Sequence, residues 1–257
     1  MNLYRLSDKI GRSLAVEELD LSFGVSAPIG ACVKSIESEL LQLKDSLLLD
    51  GPFRSMLLIH YHNIEIFLYE IALNENVNTI KYGTYPFIRL NMLLACLNST
   101  KCFFDAWYSL PASVYLNSPY TTWAQIGHAL MTLSKLSLFI GEGWDRDYVR
   151  SIIDFSSTVD ALILQIKEIN RLCQQHQPDQ LLSRSVPEIF IDLASKLQLM
   201  KEFNERRRAA QCNHQDGALR SPLLNESSLL AFPDVDFLTP GSVLFQYLDD
   251  EFWHHFT

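Results

Sequence analysis

Residues 53–73 read FRSMLLIHYHNIEIFLYEIAL. Drawn as a helix, this stretch presents apolar side chains in almost every direction. It lacks the strict polar–apolar alternation of a half-buried strand. A helix that is apolar nearly all round is normally central and covered on several sides. His60, His62, Asn63, Glu65 and Glu70 interrupt it, so it falls short of the ~20 sustained apolar residues of a membrane span. Asp50-Gly51-Pro52 breaks the chain just before it, and proline is tolerated in a first helical turn, where its missing N–H has no partner anyway. The stretch therefore predicts the central helix of an all-α protein.

The same periodicity extends outward on both sides. Pro28 opens a pattern in which Ile29, Val33, Ile36, Leu40, Leu43 and Leu47 form one stripe at steps of three and four. Residues 74–85 read as a loop. Pro86 starts a helix with Phe87, Leu90, Leu94 and Leu97 on one face. Asn98-Ser99-Thr100 is expected to cap a separate helix holding Phe103, Trp107 and Leu110, which Pro111 ends. Thr121 or Thr122 caps the next, with Trp123, Ile126, Leu130, Leu133 and Ser137 in register and Gly141 and Gly143 closing it. Asp145 caps the longest pattern, residues 146–174, through Val149, Ile152, Val159, Leu162, Ile166 and Ile169. Ser185 and Glu188 are spaced as a capping box before Phe190, Leu193, Leu197 and Met200. Residues 206–222 are polar and expected to be mobile. The reading is all-α: a multi-helix bundle of about eight to ten helices with long irregular loops. Residues 1–220 form the helical domain, and residues 221–257 form an acidic aromatic segment expected to dock as a terminal helix.

The chain has 257 residues, 48% of them hydrophobic, enough for a large core. Its net charge is −9. An acidic surface repels phosphate backbones, which argues against direct DNA binding by this chain. The charge is uneven. Residues 221–257 hold Glu226, Asp234, Asp236, Asp249, Asp250 and Glu251 and no lysine or arginine. Phe232, Phe237, Phe245, Phe252, Trp253 and Phe256 are interleaved with these acids, a composition typical of activation segments. Five cysteines, an odd number without a CxxC pair, read as free thiols in a reducing compartment. No apolar leader and no membrane segment are expected.

The sequence holds no GxSxG elbow and no GxGxxG or GxxxxGK[ST] loop, so neither an enzyme nor a cofactor is expected. His60 and His62 lie ~200° apart on a helix and cannot share a face, whereas helical metal sites use i,i+4 spacing. His254 and His255 read as surface residues, so no metal ligands are assigned. Glu65 and Glu70 sit inside the most apolar helix and are candidate buried carboxylates, since such a group needs a partner or a shifted pKa. One reading makes them a general acid or ligand contact; the plainer one pairs them with Arg150 or Arg89. Trp107, Trp123 and Trp144 are candidate core aromatics or the lining of an effector pocket. Arg206-Arg207-Arg208 reads as the basic C-terminus of a helix, complementing its dipole.

Several blocks together carry a resemblance. Leu58-Ile59-His60-Tyr61, Glu65 and Leu68-Tyr69-Glu70-Ile71-Ala72-Leu73 come first. Leu110-Pro111, Trp123 and Leu133-Ser134-Lys135-Leu136-Ser137 follow. Gly143-Trp144-Asp145, Tyr148-Val149-Arg150 and Asp154-Phe155 come next, and Leu248-Asp249-Asp250-Glu251-Phe252-Trp253 closes the series. In order and spacing they resemble the regulatory region of fungal zinc binuclear-cluster transcription factors. The resemblance implies a nuclear transcription regulator, many relatives of which control secondary-metabolite gene clusters. Its implied partners are proteins of the transcription machinery or a full-length relative, with a small-molecule effector as a further possibility. Zinc belongs to that family's N-terminal six-cysteine DNA-binding module, and these 257 residues contain nothing resembling it. The chain then reads as a fragment or as a naturally short protein that kept the regulatory half. The alternative reading is a free-standing small-molecule-binding or enzymatic protein on the same helical scaffold.

Overall fold

A computed structural model of the chain describes residues 3–14, 29–47, 54–74, 87–111, 114–115, 118, 120–176 and 185–217. The regular elements among them are all helical: α1 (Leu3–Leu14), α2 (Ile29–Leu47), α3 (Arg54–Tyr69), α4 (Phe87–Tyr108), α5 (Tyr120–Leu138), α6 (Arg146–Ile152), α7 (Phe155–His176) and α8 (Ser185–Gly217). A 3-10 turn, Glu70–Leu73, continues α3. The chain divides into two compact units, Met1–Ala161 and Leu162–Thr257. None of the described helices is long and apolar enough to cross a membrane.

In the first unit α3 is the central helix. It packs on α1, α2, α4 and α5, most extensively on α4. Its apolar residues Ile59, Ile64, Ile66 and Leu68 are buried, as are Met92, Leu93, Leu97, Phe103, Phe104 and Trp107 of α4. Cross-helix bonds set the directions. Ser99 of α4 reaches Glu65, and Ser109 reaches Ser55, so α4 runs antiparallel to α3. Asn63 of α3 and Glu70 of the 3-10 turn that continues it reach His128 and Thr132 of α5, so α5 runs parallel to α3. On α2, Glu37 accepts from Tyr69, and Lys44 lies over the Tyr61 ring.

Four features differ from the sequence expectations. Residues 3–14 form a helix that the apolar pattern had not signalled; it buries Leu6 and Ile10, and Lys9 pairs with Glu39 of α2. Residues 87–108 form one helix, not two. Ser99 and Thr100 are buried in its middle: Thr100 Oγ1 donates back to the Cys96 carbonyl at 2.8 Å, and Ser99 Oγ donates to Glu65, so neither is free to cap. Residues 146–174 form two helices. Asp145 does cap α6, accepting from the N–H groups of Asp147 and Tyr148, but Ile153 is extended and Asp154 starts α7 by accepting from Ser157 N at 2.8 Å. Finally, α8 continues to Gly217, so Arg206-Arg207-Arg208 lie in its interior and residues 206–217 are helical. Arginine, alanine and glutamine are strong helix formers, and Arg206 pairs with Glu202 one turn back.

The C-terminal end of α5 is closed by a turn. Gly143 takes φ +75, a left-handed conformation that costs glycine nothing. The Trp144 indole then donates to the Leu136 carbonyl at 3.0 Å. In the second unit, Leu162, Ile163, Ile166 and Ile169 of α7 and Asn204 of α8 are buried, while Leu199 and Phe203 are exposed. Residues 218–257, with the segment 221–257 and His254 and His255, lie outside the described residues.

Candidate functional site

The apolar interior of the first unit is crossed by two lines of polar groups, one on each edge of α3. The first faces α5. His60, Asn63, Phe67 and Glu70 recur at steps of three and four, and Gln125, His128, Thr132 and Lys135 do the same on α5. Because the two helices run parallel, the two stripes meet in register. His128 sits at the centre. Its Nε2 lies 2.8 Å from Glu70 Oε2 and its Nδ1 lies 3.2 Å from Asn63 Oδ1. With an acceptor oxygen at each ring nitrogen, the ring is arranged to donate twice, which is what an imidazolium does. Phe67 packs edge-on against the same ring, and Thr132 Oγ1 donates to Glu70 Oε2 at 3.4 Å.

The electrostatics agree with this geometry. Burial alone pulls the His128 imidazole down, but the Glu70 charge and hydrogen bond outweigh it and hold His128 above its ordinary value. The Glu70 and His128 side chains retain 18% and 24% of their exposure. Lys135, one turn beyond Thr132, is pulled below its usual range by burial, although Glu70 and Cys96 act in the other direction. His60, at the other end of the stripe, is lowered by burial, although Gln125 acts in the other direction.

The second line faces α2 and α4. His62 Nδ1 lies 2.7 Å from Glu65 Oε2, and Ser99 Oγ donates to the same oxygen at 3.1 Å. Burial pushes the Glu65 carboxyl up, yet His62 foremost, with Tyr61 and Ser99, brings it below its ordinary value. The Tyr61 hydroxyl is buried beside Glu65 but outside hydrogen-bonding geometry. Tyr69 donates to Glu37 at 2.9 Å. Burial, first, and these neighbouring carboxylates hold both phenols protonated.

Chemically, the arrangement clamps helices together. Ser99 and Thr132 donate to the Glu65 and Glu70 carboxylates, which are themselves bonded to His62 and His128. Cys96 is fully buried, and burial pushes its thiol well above its usual range, away from the reactive thiolate. A hydrogen bond to a charged group contributes about 1.5–3 kcal/mol, so Ser99–Glu65 and His128–Glu70 are substantial ties between helices, whereas His62–Glu65 lies within α3.

Glu65 and Glu70 thus lie on opposite edges of α3 and pair with histidines. Arg89 instead donates to the Ala72 and Asn74 carbonyls and lies over Phe139, and Arg150 pairs with Asp147. Of the tryptophans, Trp107 is fully buried and packs on Trp123 and Tyr115, with ring centroids 5.5 and 4.7 Å away. Trp144 packs separately, on Phe139 at the end of α5. Sequence reasoning missed His128, Asn63, Thr132, Lys135 and Ser99. The available signal was the 125–128–132–135 polar spacing inside an otherwise apolar helix.

Residues 112–253 match a family model described as a C-terminal domain, that of a group of fungal transcription factors. The match takes in α5 to α8 and the closing segment, including Trp123, Gly143-Trp144-Asp145 and Leu248-Asp249-Asp250-Glu251-Phe252-Trp253. The protein named Transcription factor opdL from Penicillium oxalicum is 26% identical over 137 residues, 53% of this chain and 24% of that protein. A protein named Transcription factor from Aspergillus terreus is 25% identical over 164 residues, 59% of this chain and 28% of that protein. The chain therefore spans about a quarter of the length of the curated relatives it matches. No solved structure matches it.

Proposed function

This chain belongs to the C-terminal-domain family of fungal transcription factors, and on that basis we propose that it regulates transcription through protein contacts, without a reaction of its own. The family match over residues 112–253, joined by two relatives named as transcription factors, carries the reading. The interior supports it: the polar groups at the centre bond one another across α3, α4 and α5. Such a core holds a scaffold in one arrangement and leaves its surface for partners.

In this reading the chain acts in the nucleus. Its partners are proteins of the transcription machinery or a full-length relative, and a secondary-metabolite gene cluster is its target class. Zinc and DNA contacts belong to other modules. Fusing the 257 residues to a heterologous DNA-binding domain should change reporter transcription several-fold relative to that domain alone. An unchanged reporter, from a fusion that accumulates normally in the nucleus, would overturn the reading.

A further inference from the structure

We propose that Lys135 is a covalent binding site for a small aldehyde or ketone, held as an imine on its side-chain amine. Lys135 closes the polar stripe of α5, one turn beyond Thr132 and two turns beyond His128. It is half-buried, neither sealed in the core nor fully solvated. The cross-helix ties of the first unit run through Glu70, His128, Thr132 and Asn63 and make no use of it.

The groups around it leave the amine without a counter-ion of its own. Glu70 favours its ammonium, but Glu70 Oε2 already takes His128 Nε2 at 2.8 Å and Thr132 Oγ1 at 3.4 Å. Cys96 of α4 also acts on Lys135, but that thiol is fully buried and stays protonated, so it supplies no charge. Among the described residues Lys135 forms no ion pair. Two cations thus compete for one carboxylate, and Lys135 works against the charge of His128. His128 holds the hydrogen bond, so Lys135 is left with burial, which pulls its ammonium below the usual lysine range. Lys9 and Lys101 are the opposite case. Each is paired with a carboxylate, Glu39 and Asp105, and Asp105 holds Lys101 above its ordinary value.

A lysine kept neutral by desolvation or by a neighbouring cation is a nucleophile towards a carbonyl carbon. The step balances with the carbonyl compound alone. The amine lone pair forms the C–N bond while the C=O π pair moves to oxygen. A proton passes from nitrogen to that oxygen, and water leaves as the C=N bond forms. Hydrolysis returns the amine and the carbonyl, so the chain binds the compound reversibly and does not turn it over. An effector role for the compound rests on the transcription reading; the binding itself does not.

The test treats the full chain at pH 7 with substoichiometric acetaldehyde and sodium cyanoborohydride, which fixes each imine as an ethylamine. Peptide mass spectrometry then reads the rate at every lysine. Lys135 should be ethylated at least about fivefold faster than Lys101, although it is the more deeply buried of the two. That advantage should shrink at pH 10, where exposed amines lose much of their charge as well. Lys135→Arg should abolish the fast reaction while far-UV circular dichroism stays unchanged. Rates at Lys135 no higher than at Lys101, or a fast reaction that survives Lys135→Arg, overturn the proposal. So does a ratio that is the same at pH 7 and pH 10, since it would assign the selectivity to access and not to a neutral amine. None of these outcomes depends on what the chain does in transcription, which the reporter fusion reads separately.

Discussion

Replacing His128 by glutamine keeps an N–H facing Glu70 and removes the charge. Two unit charges ~4 Å apart at an effective dielectric constant of ~20 attract by about 4 kcal/mol. Burial of the imidazolium offsets much of that, and the residual exposure of both side chains reduces the remainder. The attraction nevertheless exceeds the burial cost, because His128 is held above its ordinary value. A net loss of about 1–2 kcal/mol is expected for His128→Gln where His128 is charged. A folded-state pKa raised above the unfolded 6.5 contributes stability that is fully present below pH 6.5 and disappears as the pH rises through the folded value. The variant should therefore be least stable relative to wild type near pH 6 and close to wild type near pH 9. Urea titrations at both values, followed by tryptophan emission, measure this, since Trp107, Trp123 and Trp144 all report on the first unit. A deficit of the same size at pH 6 and pH 9 would refute the charged pair, and a deficit that grows with pH would reverse its sign.

Two further outcomes follow from packing and capping. Trp107→Ala removes a fully buried indole from between Trp123 and Tyr115. It should cost about 3–5 kcal/mol by urea titration and abolish the near-UV circular dichroism of the cluster; a loss below about 1 kcal/mol would mean that the site is not packed as described. Asp145→Ala deletes the acceptor for two N–H groups at the start of α6 and should cost about 1 kcal/mol, with amide exchange accelerated at Asp147 and Tyr148.

α2 is legible because its spacing repeats over several turns, and the central helix because it is apolar nearly all round without the alternation of a strand. The first helix escapes notice because it is short and buries only Leu6 and Ile10 among its described side chains. The false break in α4 has a different origin. Asn98-Ser99-Thr100 is a proper capping signature locally, and only the tertiary partners Glu65 and the Cys96 carbonyl divert it. The missed break between α6 and α7 is the converse: Ile152 and Val159 stay in phase across it, so periodicity hides the extended Ile153, while Asp154 and Ser157 carried the signal. The polar interior is half legible for the same reason. A carboxylate in an apolar helix announces that it needs a partner, but the partner of Glu70 is 58 residues away. Only the parallel course of α3 and α5 brings them together.

The Arg89 clamp has a consequence for how this domain can vary. Its guanidinium holds the Ala72 carbonyl at 2.8 Å and also reaches Asn74, so the end of the 3-10 turn is fastened directly to the first turn of α4. The connection through residues 75–86 therefore has its two ends fixed by something other than itself. Closure entropy grows only slowly with length, by about 0.6 kcal/mol for each doubling. Insertions and deletions should accumulate there among related chains while the register of α3 against α4 and α5 stays put. That makes it the place to graft a tag or a binding peptide without disturbing the histidine–carboxylate pairs.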